Sequence, residues 1–390
     1  MRITVLGEGQ PVPADADLVV GGRRHLAAVG VEGVPTVELG PLGPALEALA
    51  TARRPVVVAS GDPGFFGMVR VLAERFGAAA LDVRPGVSSV ASAFARTGIP
   101  WDDAVVVSAH GAEGGRSLRR AVNVCRARRK VAVLTGPGAG PAELGAALAG
   151  TDRVLYVAQR LGTPEESVVE ATPEAAAGKH WDPLNVTLVV DPAHAVGGAV
   201  WTPAAVGPAR WALDEDSFAH RDSMISKAEV RALALAHLGP RLGDLVWDVG
   251  AGSGSVAVEC ARFGAAVVAV ERSADGAERI AANARAHDVD VQVVHGTAPA
   301  VLADLPDPDA VFVGGGGPDV AAACAHRALR SVVVTLAAVD RVPATRAALA
   351  AAGLRCEGVL LSASRLAPLP VDAVRLAATN PVFVLWGERS

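Results

Sequence analysis

Short apolar runs rich in branched residues alternate with Ala-rich stretches of helical spacing along the whole chain. Residues 55–60 precede a helical stretch at 66–76, and residues 245–249 precede one at 256–263. That alternation predicts an α/β protein. The opening residues Met1 to Leu6 already read as a strand. In the second half, strands are predicted near 266–270, 289–295, 310–313, 331–336, 354–361 and 381–386, with helices filling most of the gaps. The pattern lapses after Asp191 into Pro192, Gly197, Gly198, Pro203, Gly207 and Pro208, then the acidic Asp214-Glu215-Asp216. These residues predict an N-terminal domain over 1–195, a linker over 196–215 and a second domain over 216–390.

Length supports the division, since 390 residues exceed what one hydrophobic core usually supports. With 51% hydrophobic and 20% charged residues the chain has the composition of a folded protein. The net charge of −5 argues against bulk nucleic-acid binding, yet leaves room for a local basic patch facing an anionic small molecule. No apolar run reaches the ~18–20 residues of a membrane span; residues 256–270 contain Glu259 and Arg262. The N-terminus lacks the pattern of a signal peptide, so a cytoplasmic protein is expected. Cys125, Cys260, Cys324 and Cys356 lie far apart, with no ligand spacing, and no metal site is expected.

The most informative segment is Trp247-Asp248-Val249-Gly250-Ala251-Gly252-Ser253-Gly254-Ser255, a buried strand entering a glycine turn that opens a helix. Glycines at 250, 252 and 254 let the backbone approach a ligand, and the helix start presents free N–H groups. The next strand ends in Glu271, where a carboxylate can accept both hydroxyls of a ribose. A dinucleotide fingerprint requires glycine at position 255, where serine stands. Asp248 before the turn instead favours S-adenosylmethionine, because class I methyltransferases use an acidic residue there near the cationic methionine end. An NAD-dependent oxidoreductase is the alternative reading of this turn.

The approach to this domain, Asp216-Ser217-Phe218 and Met224-Ile225-Ser226-Lys227-Ala228-Glu229-Val230-Arg231, resembles the C15-methylating, C12-acetate-decarboxylating domain of corrin synthesis. So do Val311 to Gly316, Thr335, Arg365 and Asn380-Pro381-Val382-Phe383. The resemblance implies a Rossmann-like class I methyltransferase fold. It also implies cofactor contacts from Ser226, Gly250, Ala251, Gly252, Ser253, Gly254, Glu271 and Ala298. Ser226 stands where that family usually has threonine.

In the N-terminal half, Ser60-Gly61-Asp62-Pro63-Gly64-Phe65-Phe66-Gly67 and Arg84-Pro85-Gly86-Val87-Ser88-Ser89 resemble the signature loops of tetrapyrrole methylases. Ser108-Ala109-His110-Gly111, Leu134-Thr135-Gly136-Pro137, Leu161 to Glu166 and Asn185-Val186-Thr187-Leu188 follow in that family's order. Taken alone, Gly-Asp-Pro-Gly is also an ordinary turn and Pro-Gly-Val-Ser-Ser a helix N-cap. The resemblance implies two α/β subdomains holding S-adenosylmethionine in a cleft, with Gly61, Asp62, Phe65, Ser88, Ser89 and Leu134 at the cofactor. It departs from the family at Gly7-Glu8-Gly9-Gln10-Pro11, which runs almost directly into Ala16 to Val20. The first helix is therefore expected to be shortened or absent.

Together the halves resemble the bifunctional, decarboxylating C5,15-methyltransferase family of cobalamin synthesis. This implies S-adenosyl-L-methionine as cofactor, S-adenosyl-L-homocysteine as product, an anionic tetrapyrrole as substrate and a homo-oligomeric assembly. An N-terminal domain that only docks substrate is the non-catalytic alternative. A polycarboxylate substrate calls for fixed cations. The candidates are Arg23, Arg24, Arg116, Arg119, Arg120, Lys227, Arg231 and Arg365, with His110 as a further substrate contact. No general base is expected, because a reduced tetrapyrrole supplies its own nucleophilic carbon.

Overall fold

The computed structural model describes residues 2–110, 115–196, 208–221, 225–370 and 372–389, so residues 197–207 of the expected linker and Met224 of the entry segment fall outside it. The chain forms two compact units. One comprises residues 1–101, 106–114 and 132–197; the other comprises 102–105, 115–131 and 198–390. The division is thus discontinuous in sequence, which a linear reading of linker composition does not reveal.

In the first unit β1 (Ile3–Leu6), β2 (Leu18–Gly21), β3 (Thr36–Glu38), β4 (Pro55–Val58) and β5 (Leu81–Arg84) form a parallel sheet of order β3-β2-β4-β1-β5. Alternate side chains enter different cores. Ile3, Val5, Val20 and Val57 pack in one cluster, and Leu6, Val19, Val56 and Val58 in another, so both sheet faces are covered. No helix lies between β1 and β2, as the compressed sequence there predicts. A second sheet contains β6 (Val105–Ser108), β7 (Lys130–Leu134), β8 (Val154–Gln159), β9 (Ser167–Ala171) and β10 (Asn185–Val190), in the order β6-β7-β10-β8-β9. Here β8 runs antiparallel to both β9 and β10.

The second unit is built on β11 (Leu245–Val249), β12 (Ala266–Glu271), β13 (Gln292–His295), β14 (Ala310–Val313), β15 (Ser331–Leu336), β16 (Arg355–Leu361) and two later strands. These are β17 (Ser364–Leu369) and β18 (Ala373–Ala378), paired only with each other, followed by β19 (Val382–Glu388). The main sheet has the order β13-β12-β11-β14-β15-β19-β16, with β19 antiparallel to its neighbours. Leu245, Trp247 and Val249 face one core and Val246 the other. Each such buried side chain contributes roughly 1.5–3 kcal/mol. The order reverses direction at β11, so its carboxyl end opens a crevice between β12 and β14. The β17–β18 hairpin is absent from the sequence-based expectation, because Pro368 and Pro370 give that stretch a loop-like composition.

Among the described residues, no helix is long and apolar enough to cross a membrane.

Candidate functional site

The first unit brings three loops together at the carboxyl ends of β1, β4 and β5. Gly86 donates its N–H to the Gly61 carbonyl at 3.1 Å, and Gly7 donates to the Arg84 carbonyl at 2.8 Å. A Cβ on Gly7 would lie 2.1 Å from the Gly86 nitrogen and 2.2 Å from the Gly61 oxygen. Only backbone fits at this junction. Gly61 itself has φ +51 and sits against Ser88 and Ser89, so the two loops singled out from sequence do converge. Gly7 and Gly86 were not among the candidate site residues; the glycines following β1 and β5 were the available signal.

Around this junction the side chains organise the loops. Asp62 Oδ1 accepts the Gly64 N–H at 2.8 Å, and Ser88 Oγ caps the helix Ser89–Thr97 through the Ala91 N–H at 3.1 Å. Phe65 is exposed and packs edge-to-face on Phe66 with ring centroids 5.0 Å apart. Leu134 ends β7, and its carbonyl accepts the N–H of Ala109 beside His110. The His110 ring lies where a Cβ on Gly136 would fall, at 2.9 Å from Nδ1. Arg23 is exposed and paired with Glu38 at 3.2 Å. Arg24 and the half-buried His25 both reach Ser60 Oγ, at 3.1 and 2.9 Å. Burial, reinforced by Arg24, holds the His25 imidazole below its ordinary pKa.

The second unit contains a cavity of about 1270 Å³ at the carboxyl ends of β11, β12 and β14. Gly250, Ala251, Gly252 and Ser253 line it together with Ser226, Lys227, Glu271 and Ala298. The turn needs its glycines: φ is +72 at Gly250, +58 at Gly252 and +73 at Gly254. A Cβ on Gly250 would meet the Gly315 nitrogen at 2.9 Å, and one on Gly254 would meet Ile280. Gly254 thus serves packing behind the turn.

Asp248, expected near the cationic methionine end, lies beneath the turn rather than in the cavity lining. Its side chain is buried beneath the turn, with Oδ2 accepting the Ala257 N–H at 2.9 Å at the start of helix Ser255–Arg262. Oδ1 is buried with no hydrogen-bond partner among the described residues. Burial pushes the carboxyl pKa up to about 7, against the Ala257 hydrogen bond. Glu271 lies at the cavity wall; Oε2 accepts the Gly252 N–H at 2.9 Å and Oε1 the Ser273 N–H at 3.0 Å.

Two expected substrate cations are corrected. Arg231 has no exposed side-chain surface; it faces Glu259 at 3.4 Å and donates to the carbonyls of Ser226 and Leu213. A guanidinium enclosed in that way holds the chain rather than a ligand. Arg365 is forked onto Glu215 and Glu229 with four hydrogen bonds, which use both edges of its guanidinium. Arg119 is likewise paired with Asp309, and the side chain of Arg116 lies outside the described residues. Lys227 remains at the cavity. It is joined there by Arg221, Arg272, Arg279 and Arg341, which were not anticipated, although Arg272 directly follows Glu271 in sequence. Five cations against two carboxylates, Glu271 and Asp275, line this cavity in a chain of net charge −5.

The arrangement fits a cationic nucleoside cofactor. The glycine cradle leaves no room for side chains, a carboxylate stands at the end of β12, and an unsatisfied buried carboxylate oxygen lies beneath the turn.

Comparison with known proteins places two family models on the chain: tetrapyrrole (corrin/porphyrin) methylases over residues 37–177, and a precorrin methyltransferase domain over 216–380. A Sinorhizobium precorrin-6Y C(5,15)-methyltransferase (decarboxylating) is 39% identical over 80% of this chain and 75% of its own. A Mycobacterium tuberculosis protein of the same name is 34% identical over 80% of this chain and 77% of its own. Among solved structures, the C-terminal domain of precorrin-6Y C5,15-methyltransferase from Rhodobacter capsulatus is 34% identical. It covers 46% of this chain and 97% of its own, with a TM-score of 0.41.

Proposed function

Because the chain belongs to the precorrin-6Y C(5,15)-methyltransferase (decarboxylating) family, we propose that it methylates precorrin-6B at C5 and C15 and decarboxylates the C12 acetate to give precorrin-8. S-Adenosyl-L-methionine supplies an electrophilic methyl group on a cationic sulfur. The observation that carries the reading is the β11–β12 crevice, where Gly250, Gly252 and Glu271 line one cavity, with Gly254 and the buried Asp248 supporting the turn from behind.

In this reading Glu271 accepts from the ribose hydroxyls and the Gly250–Gly254 turn approaches the methionine end. Asp248 acts from beneath, where its Oδ2 fixes the helix start through the Ala257 N–H. Ser226 and Ala298 close the wall. With the donor bound there, its methyl carbon would bond to the meso carbon while the electron pair of the breaking carbon–sulfur bond leaves on sulfur, and the meso proton would pass to solvent. In decarboxylation the pair left by CO2 would pass into the conjugated macrocycle, and a proton from solvent would complete the new methyl group. The protein's task is alignment, which supplies roughly 7–11 kcal/mol of a barrier. Lys227 and the cavity arginines face the carboxylates of the substrate.

For the first unit we assign C5 methylation to the junction of Gly7, Gly61 and Gly86, with Asp62, Phe65, Ser88, Ser89 and Leu134 around the cofactor and Arg23 and His110 toward the substrate. The test is turnover of precorrin-6B by purified protein with S-adenosylmethionine. Release of both S-adenosylhomocysteine and CO2 is expected; absence of both would overturn the reading. Calorimetric titration with S-adenosylhomocysteine should count two sites per chain, one for each unit.

A further inference from the structure

A smaller cavity of about 340 Å³ adjoins the large one on the β14–β15 side, sharing Gly314, Gly315, Thr335, Leu336 and Arg341 with it. Its remaining wall is apolar, from Val313, Gly317, Val334 and Ala338. Arg341 is its only charged lining residue among the described residues, and it is exposed; its backbone N–H donates to the Ala338 carbonyl at 3.2 Å, while its guanidinium has no hydrogen-bond or ion-pair partner among the described residues. The guanidinium passes Gly317, where a Cβ would sit 3.8 Å from one of its nitrogens. Thr335 Oγ1 contributes a hydroxyl held only by a long 3.5 Å contact to the Val313 carbonyl.

Position separates this recess from the cofactor groups. Glu271 ends β12, on one side of β11, whereas Arg341 follows β15, beyond β14 on the other side. An unpaired arginine at an apolar recess suits one carboxylate on a short aliphatic arm: the walls accept the methylenes and the planar fork takes both oxygens. Resting on the function proposed above, we infer that the recess anchors one carboxylate arm of the tetrapyrrole that is retained in the product. Arg341 thereby fixes which edge of the ring enters the cavity.

The experiment uses the full-length protein and the variants R341A and R341K. It reads kcat and KM for precorrin-6B in CO2 release, together with S-adenosylhomocysteine affinity by calorimetry. R341A should raise KM about tenfold or more, the scale of a lost charge-assisted hydrogen bond, while kcat stays within about twofold. R341K should recover part of the loss, and cofactor affinity should not move. An unchanged KM overturns the proposal. A loss of S-adenosylhomocysteine affinity does so too, by assigning Arg341 to the cofactor carboxylate. A fall in kcat for CO2 release at constant KM overturns it by placing the reacting acetate there instead. A wild-type protein that releases no CO2 removes the functional reading and this inference with it, an outcome distinct from all the others.

Discussion

Glu271 Oε2 accepts the backbone N–H of Gly252 at 2.9 Å, so the carboxylate ending one strand pins the turn that ends its neighbour. The same side chain faces the cavity, and cofactor affinity and turn geometry are therefore coupled through it. Glu271→Ala removes a charged acceptor and is expected to weaken S-adenosylhomocysteine binding at this site by about 1.5–3 kcal/mol. Glu271→Gln, which keeps one acceptor oxygen, should lose less. Calorimetry on the full chain checks this, and C5 methylation should continue in both variants.

Asp248 carries a pH signature. Burial raises its pKa in the folded chain to about 7, above the 3.8 of a free aspartate side chain. Between these values the unfolded chain has lost the proton and the folded one retains it, so this group's contribution to stability falls as pH rises through that window. The slope for one proton is about 1.4 kcal/mol per pH unit. Asp248→Asn lacks a titrating group, and the difference between wild-type and variant urea stabilities should decline from pH 4 to 7. A flat difference would show a carboxylate already ionised in the fold.

Arg231 and Glu259 form an ion pair with no exposed side-chain surface on either partner. Glu259 also accepts the N–H groups of Ala212 and Leu213, and Arg231 holds the carbonyls of Leu213 and Ser226. The pair therefore folds the entry segment against the domain and sets the position of Ser226 at the cavity. Arg231→Met leaves the buried Glu259 carboxylate with only Arg262, at 3.5 Å, and is expected to destabilise by about 3 kcal/mol. Pairing it with Glu259→Leu should recover part of the loss. Chemical denaturation of the three variants measures the coupling.

Gly7 tests the first unit separately. Its ideal Cβ overlaps the Gly86 nitrogen and the Gly61 oxygen, so Gly7→Ala must push the three loops apart. C5 methylation should be lost while CO2 release is retained. Equal loss of both activities would show that the two units do not function independently.

Much of this was legible because it is written in local chemistry. Runs such as Leu245–Val249 can only be strands buried on both faces, and the glycines at 250, 252 and 254 announce a turn that no other residue accommodates. What stayed hidden depends on distance in sequence. Arg231 looks like any helical arginine until Glu259 is found 28 residues away, and Arg365 lies 136 and 150 residues from its two carboxylates. Arg341 follows a strand with no motif around it; only the sheet order brings it to the cavity of Glu271. Asp248 was recognised by type, but its direction could not be read, since strand alternation leaves open whether a terminal carboxylate faces the ligand or the helix start.

Arg365 offers the last test, because it lies 136 and 150 residues from its two partners, Glu229 and Glu215. Glu215 also accepts the Ala228 N–H, so the fork ties β17 to the start of helix Ala228–Leu238. The Arg365 guanidinium holds the Glu215 carboxyl down to about 2, below the 4.5 of a free glutamate side chain. With the folded value depressed, the stabilisation is fully present above pH 4.5 and disappears as pH falls toward 2. Arg365→Ala should therefore be less stable than wild type at pH 7 and nearly equal to it near pH 2. The arginine side chain is 40% exposed, so solvent screening keeps the difference at pH 7 to about 1 kcal/mol. Urea midpoints at the two pH values decide it, and a gap that persists in acid would assign the loss to packing of the β17–β18 hairpin rather than to charge.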